Sequence, residues 1–325
     1  MTTPLTYRFD TLQPAEKPTL YFIGVTTAGS SIRQVFPQWA DALGLRNVQL
    51  VGIDLPLHAD PEEYRRVTEF IKADPLSLGA LVTTHKIDMF HAAKDLFDRI
   101  DPLAELMDEI SCISKRDGEL WVHAKDPISS GFALEAFIPE SHWSEHPEAQ
   151  AFILGAGGSA VAISWYLTRA ERGAEVPAGI VVTNRSPKRL EMLQDIYAAA
   201  GAKTPLTTVL APSPELNDAA LSRVPAGSVV INATGLGKDA PGSPLTDAAV
   251  FPQGSIAWDL NYRGDLVFLD QARTQSADRN VTVVDGWDYF LHGWTQVIAE
   301  VFHITIPTSG PEFERLSAIA ASTRS

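Results

Sequence analysis

Residues 151–160 read AFILGAGGSA, an apolar run followed at once by closely spaced glycines and small residues. The run predicts a buried strand, and the apolar residues after the glycines predict a helix. A dinucleotide-binding fold requires the spacing G-x-G-x-x-A between such a strand and helix. The first glycine permits a tight turn, the second lets backbone approach a pyrophosphate, and the small third residue lets helix and strand pack closely. We therefore predict a dinucleotide site, with an ordinary structural turn as the alternative. Its predicted cofactor-binding residues are Gly155, Gly157, Gly158, Ser159 and Ala160.

The end of the next predicted strand, AGIVVTN, decides which dinucleotide fits. NAD enzymes usually place an acidic side chain there, about 20 residues beyond the glycines, to accept a hydrogen bond from the ribose 2′-hydroxyl. This chain has Asn184, Arg185, Lys188 and Arg189 instead. The three cations can surround a 2′-phosphate, and the planar guanidinium of Arg185 can also lie over the adenine ring. A solvated helix start is the alternative, but cations at a helix N-terminus oppose the helix dipole unless an anion binds there. The sequence favours NADP.

A third strand-like segment of this half, SVVINAT, continues into the small-residue loop of INATGLG, residues 231–237. The carboxyl ends of strands line the ligand crevice of an open α/β sheet. We therefore place Thr234 and Gly235 beside the cofactor. An ordinary turn is the alternative for this loop.

Strand-like and helix-like segments alternate along the whole chain, which predicts an α/β protein. The first half has strands at TLYFIGV, NVQLVGIDL and LGALVTT, followed by the short strands ISCISK and ELWVHA. The polar, proline-containing stretch PESHWSEHPEAQ predicts a domain boundary. We predict an N-terminal α/β domain at 19–140, on which the C-terminal helix 287–305 packs, and a C-terminal Rossmann domain at 149–286. The first 18 residues carry three prolines and predict a loose arm.

Composition excludes several classes of function. A chain of 325 residues fits two domains, and a formal net charge of -14 argues against nucleic-acid and membrane-surface partners. Cys112 is the single cysteine, so neither an intrachain disulfide nor a thiolate metal cage can form. The eight histidines have no metal-ligand spacing, and we predict no metal. Without a secretory signal or a long apolar stretch, the expected location is the cytoplasm.

The ordered series of motifs resembles the shikimate/quinate dehydrogenase family. GAGGSA, NRSPKR, INATGLG and DLNY follow one another in the second half, and GVTTAGSS, GALVTTHK and HAKDPISSGF in the first. The likeness covers about residues 19–305 and is specific as a series rather than motif by motif. It implies an NADP-dependent dehydrogenase that interconverts a cyclic polyol carboxylate such as shikimate and its 3-dehydro ketone. It also implies a substrate-binding N-terminal domain, a role in aromatic amino acid biosynthesis, and a monomer or homodimer.

The resemblance also assigns catalytic and substrate residues. Lys86 and Asp126 match the family's catalytic pair, while Ser30, Thr83 and Tyr262 match substrate-binding positions. Hydride transfer from a secondary alcohol needs a group that moves the hydroxyl proton, and a lysine positioned by an aspartate can do this. From the residues alone, Lys86 reads as a surface residue at a helix start. A second lysine directly before Asp126 can compete for its carboxylate.

The chain departs from the family pattern at several substrate positions. Ile32 replaces a serine, Leu81 replaces an asparagine, and Ser114 replaces a second asparagine but is kept as a substrate-binding residue. The family's C-terminal glutamine corresponds to Gln296 if three residues are inserted, and to Gly293 if none are. Lost hydrogen-bond partners can change substrate selectivity by orders of magnitude. A paralogue with a less polar substrate and a noncatalytic NADP-binding protein are therefore the alternatives.

Overall fold

A computed structural model describes residues 5–238 and 240–323. The strands are β1 (Thr6–Arg8), β2 (Thr19–Gly24), β3 (Gln49–Asp54), β4 (Ser77–Val82), β5 (Arg99–Ile100), β6 (Cys112–Arg116), β7 (Glu119–His123), β8 (Ala151–Leu154), β9 (Ile180–Asn184), β10 (Leu206–Leu210), β11 (Val229–Asn232), β12 (Ile256–Asp259) and β13 (Thr282–Val284). The helices are α1 (Ile32–Ala42), α2 (Pro61–Ala73), α3 (Lys86–Ala93), α4 (Pro102–Met107), α5 (Asp126–Phe137), α6 (His142–Glu145), α7 (Gly158–Thr168), α8 (Pro187–Ala199), α9 (Pro214–Leu221), α10 (Val267–Arg273), α11 (Ser276–Arg279), α12 (Trp287–Val301) and α13 (Gly310–Ala321). Over these ranges, no helix combines the length and the apolar character that crossing a membrane requires.

The chain divides into two compact units. One comprises the residues up to Lys125 together with those from Gly293 onward, and the other comprises Asp126–His292. Helix α12 therefore contributes residues to both. Each unit is built on its own sheet, which confirms the predicted α/β class.

The first unit is built on a seven-stranded sheet in the order β1-β3-β2-β4-β6-β7-β5. Strands β1, β3, β2 and β4 are parallel, whereas β6 runs antiparallel to β4 and β7. Every residue of β2 is buried, as expected for a central parallel strand. The ring of Trp294 on α12 packs edge-on against Phe22 of β2, with centroids 5.0 Å apart. The indole of Trp39 on α1 donates to the carbonyl of Leu316 on α13 at 2.8 Å. Both C-terminal segments therefore pack on this unit.

The first unit differs from the sequence prediction in three places. The N-terminal arm is not loose throughout, because β1 pairs with β3 and the Arg33 guanidinium donates to the hydroxyl of Thr6 at 2.9 Å. The residues from Lys86 to Ile100 predict one continuous helix, but α3 ends at Ala93 and is followed by a single tight turn and β5. Helix α13 was not predicted. Strands of two or three residues are too short to show a hydrophobic period.

The second unit is built on a six-stranded, fully parallel sheet in the order β10-β9-β8-β11-β12-β13. This is the strand order 3-2-1-4-5-6 of a Rossmann fold, so the predicted Rossmann class is confirmed. The order reverses between β8 and β11, which makes their carboxyl ends the switch point at which such folds bind ligands. Strand β10 escaped prediction because it is an edge strand, is only partly buried and carries two threonines.

Helix α5 packs against α7 of the second unit. Gly131 makes this possible, because a Cβ there would lie only 1.9 Å from the ring of Tyr166. The hydroxyl of Tyr166 donates to Glu135, and the Arg169 guanidinium lies over the same ring at 3.8 Å. The division between the units therefore falls before α5, whereas the sequence places a boundary in the polar stretch that follows this helix.

Candidate functional site

The glycine loop joins β8 to α7 at the switch point of the second sheet. Gly155 has a φ of +102°, which favours glycine, and its N–H donates to the carbonyl of Thr183 at 2.8 Å. A Cβ at this position would lie 2.8 Å from the carbonyl oxygen of Ala233. Gly155 therefore allows the loop after β8 to lie directly against the loop after β11.

The N-terminus of α7 is open on the side where a phosphate would bind. Gly157 precedes the helix, no side chain caps the first turn, and that turn carries no acidic residue. A Cβ on Gly157 would meet no atom within 4 Å. Backbone N–H groups and the helix dipole favour an anion at such a terminus. Gly158, Ser159 and Ala160 form the first turn of α7. The loop therefore fits the pyrophosphate of a dinucleotide.

Substituting the two loop glycines is expected to separate folding from cofactor binding. Gly155→Ala should lower the free energy of unfolding by about 1–3 kcal/mol, because φ and the nearby carbonyl both oppose a Cβ. Gly157→Ala should lower it by less than about 1 kcal/mol, yet weaken NADP binding about 10-fold by filling the open space. Urea unfolding without cofactor and a titration with NADP measure the two effects. A Gly157→Ala protein that binds NADP as tightly as the unmodified protein would contradict this assignment.

Three cations lie together between the end of β9 and the first turn of α8. The side chain of Asn184 accepts from the backbone N–H of Arg185 at 2.8 Å, and the hydroxyl of Ser186 accepts from that of Arg189 at 3.4 Å. Arg185 and Lys188 are exposed and Arg189 is half-buried. None of these cations forms an ion pair with a carboxylate of the described ranges, and the first turn of α8 has no acidic residue. The arrangement suits an anionic ligand.

A buried polar network holds the loops that follow β11 and β12. The Asn232 amide donates to Asp259 at 3.0 Å, and its oxygen accepts from the N–H and hydroxyl of Thr234 at 3.1 and 2.6 Å. The N–H of Asn261 donates to the second oxygen of Asp259 at 2.8 Å. Burial raises the pKa of Asp259 to about 6 despite these hydrogen bonds. The network therefore fixes Thr234, and with it Gly235, at the switch point.

In the first unit, Ser30 and Thr83 follow the ends of the neighbouring parallel strands β2 and β4. The N–H and hydroxyl of Thr27 donate to Asp54 at 2.9 and 2.7 Å, and Ser30 donates its N–H to the Thr27 carbonyl at 3.2 Å. A Cβ on Gly24 would lie 2.9 Å from the methyl group of Thr83. Asp54 and Gly24 thus set the path of the two segments that carry Ser30 and Thr83.

Lys86 is half-buried and begins α3 after an unusual turn. Thr84 has a φ of +64°, a left-handed conformation that is costly for a β-branched residue. His85 is buried, and its Nδ1 lies 3.1 Å from the hydroxyl of Tyr64. Burial lowers the pKa of His85, so this imidazole is neutral near pH 7. Strained backbone held in place by such packing is common at functional sites, and here it directly precedes Lys86.

Asp126 begins α5 in the second unit and is buried. The hydroxyl of Tyr289 on α12 donates to its Oδ2 at 3.1 Å. Lys125 belongs to the first unit, where its ammonium donates to Glu300 Oε2 at 2.7 Å. Glu300 therefore supplies a carboxylate partner for the lysine that the sequence identifies as a competitor for Asp126.

Glu300 is the centre of a charged cluster that the sequence did not reveal. Lys125, His123 and Arg116 all contact its carboxylate, the first two at 2.7 and 3.3 Å. Burial raises the pKa of Glu300, but the hydrogen bond from Lys125 and the neighbouring positive charges outweigh it and lower the pKa to about 2. In the sequence, Glu300 is only a single acidic residue on the inner face of an amphipathic helix. That pattern does not reveal which side chains contact its carboxylate.

Glu300→Gln is expected to lower the free energy of unfolding at pH 7 by about 1–3 kcal/mol, because it removes the carboxylate that three partly buried side chains contact. The stabilisation by Glu300 is present above the unfolded pKa of about 4.5 and is lost as the pH falls towards 2. Urea unfolding should therefore show a smaller difference between variant and unmodified protein at pH 3 than at pH 7. Glu105→Gln, which removes an exposed partner of Lys94, is the control and should cost less than about 1 kcal/mol. Equal losses for both variants would contradict the account of the cluster.

The remaining predicted substrate residues lie in different surroundings. Ser114 is fully buried within β6, with its hydroxyl 3.5 Å from His123 Nε2, and not at a strand end. The ring of Tyr262 packs against Phe290 with centroids 4.8 Å apart. Gln296 is half-buried on α12, and a Cβ on Gly293 would meet no atom within 4 Å. In the described ranges, no group of three His, Cys, Asp or Glu residues is placed to hold a metal ion.

Proteins similar to this chain were found both by sequence and by fold. No family model matches the sequence. A shikimate dehydrogenase (NADP(+)) of Methanothrix thermoacetophila is 29% identical over 232 residues, which cover 70% of this chain and 75% of the relative. A shikimate dehydrogenase (NADP(+)) of Moorella thermoacetica is 31% identical over 222 residues, 66% of each chain. The crystal structure of shikimate dehydrogenase from Aquifex aeolicus matches with a TM-score of 0.70 at 20% identity, over 96% of this chain and 99% of that one. This structural likeness concerns the fold.

Proposed function

Because the chain is a divergent shikimate dehydrogenase-like protein, we propose that it is an NADP-dependent oxidoreductase. It interconverts a cyclic polyol carboxylate, such as shikimate, and its 3-dehydro ketone. The observation that supports this most is the glycine loop at the switch point of a 3-2-1-4-5-6 sheet, with three cations and no carboxylate at the end of the next strand. A nicotinamide dinucleotide with an additional phosphate fits this combination of groups.

The cofactor is held by residues of the second unit, within the proposed NADP-binding domain 149–286. Gly155 permits the tight turn after β8, Gly157 lets the backbone approach the pyrophosphate, and the first-turn N–H groups of α7 bind it. Arg185, Lys188 and Arg189 bind the 2′-phosphate. The remaining proposed cofactor-binding residues are Thr234 and Gly235 in the loop after β11, and Asn184 at the end of β9. When bound, NADP accepts the hydride from the substrate carbon.

Proton transfer is assigned to Lys86, with Asp126 as its partner. During oxidation the hydroxyl proton of the substrate passes to the amine of Lys86, and reduction returns this proton to the substrate. A carboxylate partner positions the lysine. The support for this pair is the family resemblance together with the strained turn at Thr84, which is followed by the buried His85 and by the start of α3 at Lys86.

Substrate binding is assigned to the domain at 19–140, with the helix 287–305. Ser30 and Thr83 hold the carboxylate from the ends of adjacent strands. Ser114, Tyr262 and Gln296 are the further substrate-binding residues, on the strength of the resemblance. We also propose that the protein is a cytoplasmic monomer or homodimer. It has no nucleic-acid or membrane partner in this proposal, and the net charge of -14 supports that part.

A second candidate function is a dehydrogenase for a less polar cyclic polyol. Leu81 and Ile32 favour it, since both are buried apolar side chains at positions where the family has polar ones. Reduction of NADP⁺ with shikimate, quinate and a matched ring polyol without a carboxylate separates the candidates. We expect turnover with a carboxylated substrate. Turnover with the neutral polyol alone would support the second candidate, and NADP binding without any turnover would indicate a noncatalytic protein.

A further inference from the structure

The hydroxyl of Tyr289 lies between the proposed catalytic aspartate and the nucleotide loop. It donates to Asp126 Oδ2 at 3.1 Å and lies 3.4 Å from the hydroxyl of Ser159, in the first turn of α7. A phenol has one proton, and a carboxylate can only accept. Ser159 therefore donates to the Tyr289 oxygen over the longer and weaker contact. All three residues belong to the second unit.

The position of this hydroxyl is set by packing on two sides. The Tyr289 ring meets Trp258 edge-on, with centroids 6.1 Å apart, and the indole N–H of the buried Trp258 donates to the carbonyl of Asp285 at 3.2 Å. Gly286 lies directly before α12, where a Cβ would be 2.0 Å from the carbonyl oxygen of Leu260. The start of α12 thus packs against the backbone that follows β12, and the Tyr289 ring packs against Trp258.

We propose that Tyr289 is a positioning residue for Asp126 in hydride transfer. This inference rests on the proposed function, because that function assigns Asp126 to proton transfer. With one oxygen held by the phenol, the Asp126 carboxylate keeps one orientation within the second unit. Small displacements of such groups can lower turnover strongly even when binding is unaffected. Through Ser159, the same hydroxyl also links the carboxylate to the turn that binds the pyrophosphate.

Tyr289→Phe tests the inference because it removes the hydroxyl and keeps the ring packing. We expect kcat to fall about 10-fold, while KM for the substrate and the dissociation constant of NADP each change by less than about 2-fold. A residue that only stabilises the unit would lower the unfolding free energy without this loss of kcat. Tyr197→Phe is the matched control, since it removes another phenol hydrogen bond of this unit, to the carbonyl of Thr204 at 2.8 Å. It should leave kcat unchanged.

A double-mutant cycle shows whether the hydroxyl acts through Asp126. In the Asp126→Ala background, Tyr289→Phe should lower kcat by less than about 2-fold, because the group that it positions is gone. A full 10-fold loss in both backgrounds would overturn the inference, as would an unchanged kcat in Tyr289→Phe when Asp126→Ala impairs turnover. If Asp126→Ala itself leaves turnover unchanged, the proposed role of Asp126 is wrong and the inference fails with it.

Discussion

Lys86→Ala is expected to lower turnover by about 10²-fold or more, the usual scale for a positioned acid–base group. The amine is the proposed acceptor of the substrate's hydroxyl proton, and no other group is assigned that step. Folding and NADP binding should be unaffected, because Lys86 lies in the first unit and the glycine loop in the second. Steady-state kinetics with the best substrate, together with a titration with NADP, measure both properties.

Further variants show whether a loss of turnover in Lys86→Ala is specific to this lysine and to its proposed partner Asp126. Lys94→Ala removes an exposed lysine directly after α3, where it pairs with Glu105 at 2.9 Å, and it should keep full activity. Asp126→Asn should impair turnover to a similar degree as Lys86→Ala. The loss of turnover in the double variant should be far smaller than the product of the two single losses, because the two residues act as one catalytic pair. Near-normal turnover in Lys86→Ala would show that the proposed mechanism is wrong.

Arg185→Ala is expected to weaken NADP binding by about 10-fold or more while changing NAD binding by less than about 3-fold. A charge-assisted hydrogen bond to phosphate contributes more than a neutral one, and only NADP carries the 2′-phosphate. The exposed position of Arg185 makes a loss of stability a poor explanation for a selective effect. Titration of both cofactors against the unmodified protein and the variant measures the difference.

Lys203→Ala controls for the change in overall charge in this experiment. Lys203 is also exposed but lies beyond the C-terminal end of α8, whereas Arg185 precedes its N-terminus. It should leave the affinity for each cofactor unchanged. Equal affinity of the unmodified protein for NAD and NADP would contradict the role given to the three cations.

Much of the second unit could be predicted from the sequence, because the conformational constraints on its glycine loop involve residues that are close together in the chain. The glycine spacing of residues 155–160 reflects a positive φ and a close backbone approach within one turn, so it predicts β8, α7 and their connection together. The elements that were missed lack such a signal. Strand β10 is a partly buried edge strand, β1 has three residues, and α13 joins the first unit through a contact between Trp39 and Leu316, far apart in the chain.

The candidate site shows the same division between local and distant constraints. Lys86, Ser30 and the cations near Arg185 stand in recognisable motifs and could be named from the sequence. Glu300 and Tyr289 could not, because their partners lie far away in the chain, as in the contact of Glu300 with Arg116. From the sequence alone, Tyr289 is expected to be a packing residue of the last long helix. Its ring does pack, but its hydroxyl also reaches Asp126.

Transfer of deuterium from shikimate labelled at C3 is the most direct test of the proposed dehydrogenase activity. The labelled compound and NADP⁺ are incubated with a stoichiometric amount of protein, so that a single slow turnover can be detected by mass spectrometry of the cofactor. We expect the reduced cofactor to carry the deuterium, 3-dehydroshikimate to form in equal amount, and Lys86→Ala to abolish the transfer on the same timescale. Bound NADP⁺ that acquires no deuterium, from shikimate or from a labelled related polyol carboxylate, would contradict the proposed activity.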